Sequence, residues 1–272
     1  MHAAISTFTH DAGATVHCAV LAGVRVRSNR PLPDLPTQGS ADQALDVWFE
    51  SASRTVAPAD ALALDAALGL DGWLAADGRT AVIKPSEESP ADAVIVVRRV
   101  LPFASTLQGG TVLHGSALLL AAGVHVFVGE SGAGKSTLAT GLAALGLPTV
   151  ADDLTPCRTA GDAVAVALPA AVRHSAEWAP LAAVHFLARS PACAAVSFAA
   201  LSQAQCVALL LRNGFSELAA PPLWAHQFTA YARIAARVPA FALTVPDDRT
   251  RLPEIAADVL AGACALPAAV RV

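Results

Sequence analysis

The residues with the clearest chemical signature form the sequence Gly-Glu-Ser-Gly-Ala-Gly-Lys-Ser at positions 129–136. Its G-x-x-x-x-G-K-S spacing is that of a phosphate-binding loop, called the P-loop below. The glycines let the backbone turn so that successive N–H groups point inward and make a nest for an anion. Lys135 can reach the β- and γ-phosphates, and the Ser136 hydroxyl is placed to ligate Mg²⁺. The motif therefore predicts a nucleoside triphosphate site.

The flanking sequence supplies the strand and the helix that such a loop requires. Residues 124–128 are apolar and rich in β-branched side chains, which predicts a buried strand, and from Ser136 onward leucines recur at helical spacing. The amino end of that helix adds partial positive charge where the phosphates lie. We expect the nucleotide to be bound by the following residues: Gly129, Ser131, Gly132, Ala133, Gly134, Lys135, Ser136 and Thr137.

A pair of carboxylates, Asp152 and Asp153, follows a predicted strand at residues 147–151. Ligands of open α/β sheets bind at the carboxyl ends of the strands, so both side chains are expected near the P-loop. A carboxylate beside an attacking hydroxyl can accept its proton, and magnesium sites use one or two carboxylates together with phosphate oxygens. A nucleotide switch needs a metal ligand but no base at an acceptor, so two adjacent carboxylates favour phosphoryl transfer.

Three motifs together resemble a known family. They are His114-Gly115, the P-loop, and the sequence Val-Ala-Asp-Asp at residues 150–153. The combination is similar to the catalytic domain of HPr kinase/phosphorylase, and more closely to the HPr-kinase-related proteins found beside peptide-modifying gene clusters. The resemblance covers roughly residues 100–190 and does not reach the amino-terminal third.

The resemblance implies a role for each of these residues. It implies ATP as the phosphate donor, with Lys135 stabilising charge on the phosphates. Asp152 is expected to be the general base, and Asp153 is expected to share Mg²⁺ with Ser136. His114 would hold Asp152 or the transferring phosphoryl group.

One family feature is missing from this chain. The bacterial HPr kinases carry a downstream acidic and arginine-glycine signature that helps to bind their protein substrate. The corresponding residues 167–175 offer only Arg173 as a phosphate clamp. HPr itself is therefore not indicated as the acceptor.

The sequence leaves several functions open. The first hypothesis is an ATP- and Mg²⁺-dependent kinase that phosphorylates a hydroxyl, a serine above all, on a peptide or small protein such as a lasso-peptide precursor. The alternatives are a small-molecule kinase on the same scaffold and a nucleotide-gated regulatory protein. The oligomeric state is also open, a homo-oligomer included.

The predicted fold is α/β, with two domains. Residues 1–95 are expected to form a small β-rich (α+β) domain, and residues 96–272 a P-loop HPr-kinase-like domain whose mixed sheet is flanked by helices. A strand at residues 111–120 followed by the P-loop strand predicts a hairpin, which makes that sheet mixed rather than purely parallel. Between the domains the pattern predicts a strand at 93–97 and a helix at 100–107.

Composition excludes some classes of function. The chain has 272 residues, 54% of them hydrophobic and 15% charged, which is enough to bury a sizeable core. Its net charge of -4 argues against a general nucleic-acid binder. No apolar run is long enough to span a bilayer and no signal peptide is predicted, so a cytoplasmic protein without a membrane partner is expected.

Overall fold

The computed structural model describes residues 15–21, 24–32, 43–50, 56–64, 71–85, 92–169, 172, 177–214 and 221–266. These residues form a mixed α/β structure with two mixed sheets flanked by helices.

The first sheet has six strands in the order β1-β2-β3-β6-β5-β4. Its strands are β1 (His17–Leu21), β2 (Val24–Ser28), β3 (Gln43–Phe49), β4 (Leu62–Ala63), β5 (Asp71–Leu74) and β6 (Thr80–Lys84). The central strand β3 pairs parallel with β2 and β6, and the outer pairs are antiparallel. Alternate residues of β2, such as Val24 and Val26, are fully buried, whereas Arg25 and Arg27 are exposed. One face of this sheet therefore belongs to a core.

A helical segment covers the buried face of the first sheet. It consists of α1 (Asp92–Ile95), a π-helical turn (Val96–Val100) and α2 (Leu101–Leu107). The predicted helix at 100–107 is confirmed, but the predicted strand at 93–97 is wrong. Val96, Val100 and Phe103 are all buried, and they recur at helical spacing. The apolar run thus buries one stripe of a helix and not one face of a strand.

The second sheet contains the P-loop strand. Its strands are β7 (Gly110–Leu120), β8 (Gly123–Val128), β9 (Thr149–Ala151), β10 (Leu154–Ala160), β11 (Ala163–Ala167), β12 (Trp178–Ser190), β13 (Ser197–Ala200) and β14 (Ala240–Pro246). The order is β11-β10-β7-β8-β12-β14-β13, with β9 also on β7 and with β11 also on β12. The predicted β7–β8 hairpin is confirmed, and β8, β12 and β14 are parallel.

Helices pack on both faces of the second sheet. They are α3 (Lys135–Ala144), α4 (Gln203–Asn213), α5 (Pro221–Arg237) and α6 (Leu252–Ala265), the last preceded by a 3-10 turn (Arg249–Arg251). On one face, Leu142 of α3 and Val259 of α6 pack around Phe127. On the other face, α4 and α5 pack against Val126 and Val128. The P-loop strand β8 is therefore buried from both sides, which holds the loop at its end in a fixed position.

The division into domains at residues 95 and 96 stays a prediction. Helix α2 contacts β3 of the first sheet and also β7 of the second. Leu101, Phe103 and Ala104 of this helix belong to the apolar core of the first sheet. Residues 96–107, which the sequence assigns to the second domain, thus share a core with the first sheet.

Among the described residues, no helix combines the length and the apolar character needed to cross a membrane.

Two histidines lie inside the face of the second sheet that α3 and α6 cover. His125 on β8 is 3% exposed and His185 on β12 is fully buried, and His125 Nδ1 lies 2.9 Å from His185 Nε2. The His185 ring stacks on Phe127 and Phe241. Burial lowers the pKa of His125 to about 4, and burial together with the charge of His125 lowers the pKa of His185 to about 3. Both rings are therefore neutral at pH 7.

We expect the free energy of unfolding to fall as the pH drops below 6.5. The unfolded chain binds protons at these histidines near pH 6.5 whereas the folded chain does so only near pH 4 and 3, so each histidine contributes a loss of about 1.4 kcal/mol per pH unit in that window. Urea unfolding at several pH values measures this slope. The double variant His125→Leu/His185→Leu should have a shallower slope than the wild type. Equal slopes in the wild type and the double variant would contradict the assignment.

Candidate phosphate-binding site

The P-loop leaves β8 and turns into α3 through residues with a left-handed backbone. Gly132 has φ +80° and Gly134 has φ +98°, conformations that L side chains rarely adopt. The Ala133 N–H donates to the Glu130 carbonyl over 3.1 Å and closes the turn. Gly129 lies so close to the next strand that a Cβ atom would sit 2.8 Å from the Leu187 carbonyl oxygen. The glycines that the motif requires are thus needed by the backbone geometry.

Helix α3 begins directly at the loop, as expected from the sequence. Gly134 is its N-cap residue and provides no side-chain acceptor, so the N–H groups of the first turn keep their capacity to bind an anion. Ser136 and Thr137 in this turn are exposed, as is Ser131 in the loop, and Ala133 is half-buried. The surface that the sequence predicts to bind phosphate is therefore open to solvent.

Lys135 bends back over the loop. Its Nζ donates to the carbonyl oxygens of Gly129 and Glu130, over 2.7 and 3.1 Å. Burial lowers the pKa of Lys135, and the negative charges of Asp153 and Asp152 oppose that shift. Both carboxylates are thus close enough to act electrostatically on the P-loop lysine.

Asp152 connects the first turn of α3 to β7 through two side-chain hydrogen bonds. Its Oδ1 accepts a hydrogen bond from Ser136 Oγ at 3.0 Å and another from Ser116 Oγ at 2.6 Å. Ser116 lies on β7 and is 1% exposed, so its hydroxyl is a buried anchor for a carboxylate that is itself exposed. The carboxylate that contacts the P-loop serine is therefore Asp152.

Asp153 points to a different partner. His114 Nε2 lies 3.1 Å from Asp153 Oδ1, and both side chains are about one third exposed, at 32% and 37%. The Asp153 backbone has φ +82°, the only positive φ of a described non-glycine residue, and its carbonyl oxygen accepts the Gly115 N–H over 3.1 Å. Asp153 lies between β9 and β10, both of which pair with β7, and the pairs Ala151–Ala117 and Leu154–His114 keep one register across it. The two adjacent carboxylates contact two different groups, the serine hydroxyls and His114.

The oxygen atoms at the first pair fit a magnesium ion. The Ser136 hydroxyl and the Asp152 carboxylate are hard oxygen ligands, and protein magnesium sites combine one or two such ligands with phosphate oxygens and water. A larger cluster is not needed for this, and none of three or more His, Cys, Asp or Glu side chains occurs in the described part of the chain.

Three polar residues at the P-loop were not singled out from the sequence. Arg189, at the end of β12, donates from Nη2 to the Gly132 carbonyl at 2.7 Å and from Nη1 to Asp247 at 2.9 Å. Arg212 in the last turn of α4 pairs with Glu130, and Ser116 anchors Asp152. The sequence signal for Arg189 is its position directly after an apolar run, residues 181–188, which forms the part of β12 that is parallel to the P-loop strand.

Arg173, the phosphate clamp suggested by the sequence, lies outside the described residues.

Comparison with solved structures gives a distant likeness. No family model matches the chain, and no curated protein matches it. Among solved structures, the HPr(Ser) kinase/phosphatase from Coxiella burnetii aligns with 56% of this chain and 94% of its own, at 11% sequence identity and a TM-score of 0.34. At this distance, the function of the chain has to be inferred from its own residues.

We expect Ser116→Ala to weaken the predicted Mg²⁺ site. The change removes the buried donor that holds Asp152 beside Ser136, and it should destabilise the fold by only about 1 kcal/mol because the exposed carboxylate can bind water instead. The measurement is the Mg²⁺ concentration at which ATP raises the melting temperature by half of its maximum, which should increase.

The matched control is Thr155→Val. It removes another buried hydroxyl, whose Oγ1 donates to the Gly115 carbonyl on β7 at 3.0 Å, without touching either carboxylate. Thr155→Val should lower stability similarly and leave the Mg²⁺ dependence unchanged. Identical Mg²⁺ dependence in both variants would show that Ser116 is only a structural residue.

Proposed function

We propose that this protein is an ATP- and Mg²⁺-dependent phosphotransferase that moves the γ-phosphate to a hydroxyl group. The observation that carries this proposal is the separation of the two carboxylates at the P-loop. Asp152 contacts the metal-binding Ser136, while Asp153 pairs with His114. A regulatory nucleotide site needs a metal ligand but no base at an acceptor, whereas transfer to a hydroxyl uses a second carboxylate near the attacking oxygen, a role that Asp153 can fill.

The P-loop residues bind and orient the triphosphate. The N–H groups of the loop and of the first turn of α3 surround the phosphates, and Lys135 moves its Nζ from the backbone carbonyls to the phosphate oxygens. Ser136 and Asp152 would hold Mg²⁺. When bound, this ion neutralises charge that develops on the β- and γ-phosphate oxygens.

Asp153 acts as the general base in this proposal. Its carboxylate accepts the proton of the acceptor hydroxyl while the hydroxyl oxygen bonds to the γ-phosphorus, and the bond from that phosphorus to the bridging oxygen breaks to release ADP. His114, 3.1 Å from Asp153 Oδ1, orients the carboxylate toward the acceptor. This assignment reverses the roles that the sequence predicts for Asp152 and Asp153, because Ser136 contacts Asp152.

The proposed acceptor is a serine hydroxyl of a peptide or small protein. This part of the proposal rests on the resemblance of His114, the P-loop and the Asp152-Asp153 pair to peptide-tailoring kinases. His114 and Asp153 are each about one third exposed, which would let an extended peptide place its side-chain oxygen beside the base. A small-molecule acceptor and a purely regulatory nucleotide site are the competing outcomes of the test below.

The test compares Asp152→Asn with Asp153→Asn in a transfer assay with Mg·ATP and serine-containing peptides, read by mass spectrometry. Asp153→Asn should reduce transfer by about 10²–10⁴-fold, the usual contribution of a general base, with little change in ATP affinity. Asp152→Asn should instead raise the Mg²⁺ concentration needed for ATP binding. Asp162→Asn, the same change in the exposed turn between β10 and β11, is the control and should have no effect.

Each contrary outcome would contradict a different part of the proposal. If the two variants exchange their phenotypes, the roles predicted from the sequence are correct. Phosphorylation of a metabolite and of no peptide would show that the protein is a small-molecule kinase. If the wild type binds ATP and transfers phosphate to no acceptor, the protein is a nucleotide-binding regulator.

A further inference from the structure

A groove opens where β7 begins, between the end of α2 and the exposed side of α5. It has about 320 Å³ of space, and its two walls carry Thr106 and Gly110 on one side and His226 and Arg233 on the other. A narrow cleft continues from it along the end of β10 and shares Gly110 and Arg233 with it. The volume lies in the range of about 300–1,000 Å³ that is typical of ligand sites, so the groove can hold more than a single small ion.

The groove is basic although the chain as a whole is acidic. The sequence has 22 Asp and Glu residues against 18 Lys and Arg residues. None of the described residues that line the groove or the cleft is Asp or Glu. Helix α5 carries His226, Arg233 and Arg237 and no acidic residue. These positions are seven and four residues apart, which places the three basic side chains on one side of the helix. The groove therefore attracts an anionic group.

Arg233 is the residue best placed to hold that group. It is exposed, and it lines both the groove and the cleft. The hydroxyls of Thr106 and Thr229 donate to carbonyl oxygens of their own helices, over 2.8 and 2.7 Å. The side-chain N–H donors for an anion are therefore those of Arg233 and His226. A guanidinium binds a carboxylate through two parallel N–H···O bonds, which a point charge does not do.

A second arginine is held in place beside Arg233. The guanidinium of Arg158 lies 3.8 Å from the centre of the Trp178 ring, at the wall of the cleft. Stacking on an aromatic ring fixes a guanidinium that would otherwise sample many rotamers. The positive charge of this part of the surface is thus partly pre-ordered.

The groove and the two carboxylates lie at the same end of the second sheet. Gly115 of β7 pairs with the last residue of the P-loop strand β8, so the beginning of β7 extends beyond that strand. His114 and Gly110 lie at the two ends of this extension, both paired with β10. They are separated by about 14 Å along the strand, at about 3.4 Å per residue. A ligand that reaches from His114 to the groove must therefore be extended and at least about four residues long.

We infer that this groove binds an acidic side chain of the peptide whose serine is phosphorylated beside Asp153. The inference rests on the proposed function and specifies its substrate class, which is a peptide with an Asp or Glu at least about four residues from the serine. The carboxylate forms paired hydrogen bonds with Arg233, and the intervening residues span the distance from the groove to His114. The carboxylates at the P-loop thus select the hydroxyl, and the basic groove selects the peptide.

The experiment measures phosphate transfer from Mg·ATP to serine peptides that differ in one residue, Glu or Gln. That residue is placed next to the serine or about four to eight residues from it, on either side. The wild type should have a KM at least about fivefold lower for a peptide with a distant Glu than for its Gln partner, with similar kcat, because docking acts on binding and not on the chemical step. A Glu next to the serine should give no such advantage.

Arg233→Gln should abolish the advantage of the Glu peptide and leave the KM of the Gln peptide unchanged. Arg233→Glu should make a Lys peptide a better acceptor than the Glu peptide, which a merely structural role of Arg233 does not explain. The matched control is Arg25→Gln, the same change at an exposed position on β2 outside both linings. It should keep the wild-type preference.

A binding measurement separates failure of this inference from failure of the proposed function. Fluorescence anisotropy with labelled Glu and Gln peptides in which alanine replaces the serine reports docking without transfer. If no peptide is phosphorylated, the proposed function fails, and the anisotropy still decides whether the groove prefers the acidic peptide.

Three results would overturn the inference. The first is equal KM and equal binding of the Glu and Gln peptides by the wild type. The second is a preference for the Glu peptide that persists in Arg233→Gln or is lost equally in Arg25→Gln. The third is binding of single-stranded DNA through Arg233 together with no preference for the acidic peptide, which would assign the groove to a different polyanion.

Discussion

The hydrogen bonds that Asp152 accepts from Ser116 and Ser136 connect the three parts of the site. Ser116 belongs to β7, Ser136 to the first turn of α3, and Asp152 to the segment between β9 and β10. Because β8 is buried on both faces, the P-loop at its end is already fixed, and the Asp152 carboxylate is fixed relative to it through the Ser116 hydroxyl, which is 1% exposed. The phosphate-binding backbone and the acidic groups are thus positioned by the same sheet.

The second constraint is the backbone of Asp153. A left-handed conformation costs an ordinary residue about 1–3 kcal/mol, although aspartate tolerates it better than most side chains. Asp152 contacts Ser116 and Ser136, whereas Asp153, with φ +82°, contacts His114 on the neighbouring strand. The two consecutive carboxylates therefore have different partners although the register on β7 continues across them.

The P-loop with its flanking strand and helix can be predicted from local sequence. The glycines at 129, 132 and 134, the apolar strand before them and the leucines after them specify the P-loop together with its strand and helix, because each signal is contained within a few residues. The segment at 93–97 misled the prediction because a short β-branched run has no periodicity of its own. The helix becomes visible only when Val100 and Phe103 are included.

Other features depend on contacts between distant residues and could not be derived from spacing. Nothing in an Asp-Asp dipeptide shows which carboxylate faces the P-loop serine, since that is decided by the register of β9 and β10 on β7. Ser116 and Arg189 act on residues 36 and 57 positions away, so neither belongs to a local motif. The closure of β11 onto β12 is equally invisible without the fold.

The central claim, that Ser136 and Asp152 hold a divalent cation on the phosphates of a nucleotide in the P-loop, can be tested directly with Mn²⁺ in place of Mg²⁺. Electron paramagnetic resonance should detect one tightly bound Mn²⁺ per chain only when ATP is present, and its spectrum should show hyperfine coupling to ³¹P. We expect this signal to be lost or strongly weakened in Asp152→Asn and retained in Asp153→Asn. A signal that needs no ATP, that lacks ³¹P coupling, or that depends on Asp153 and not on Asp152 would contradict the claim.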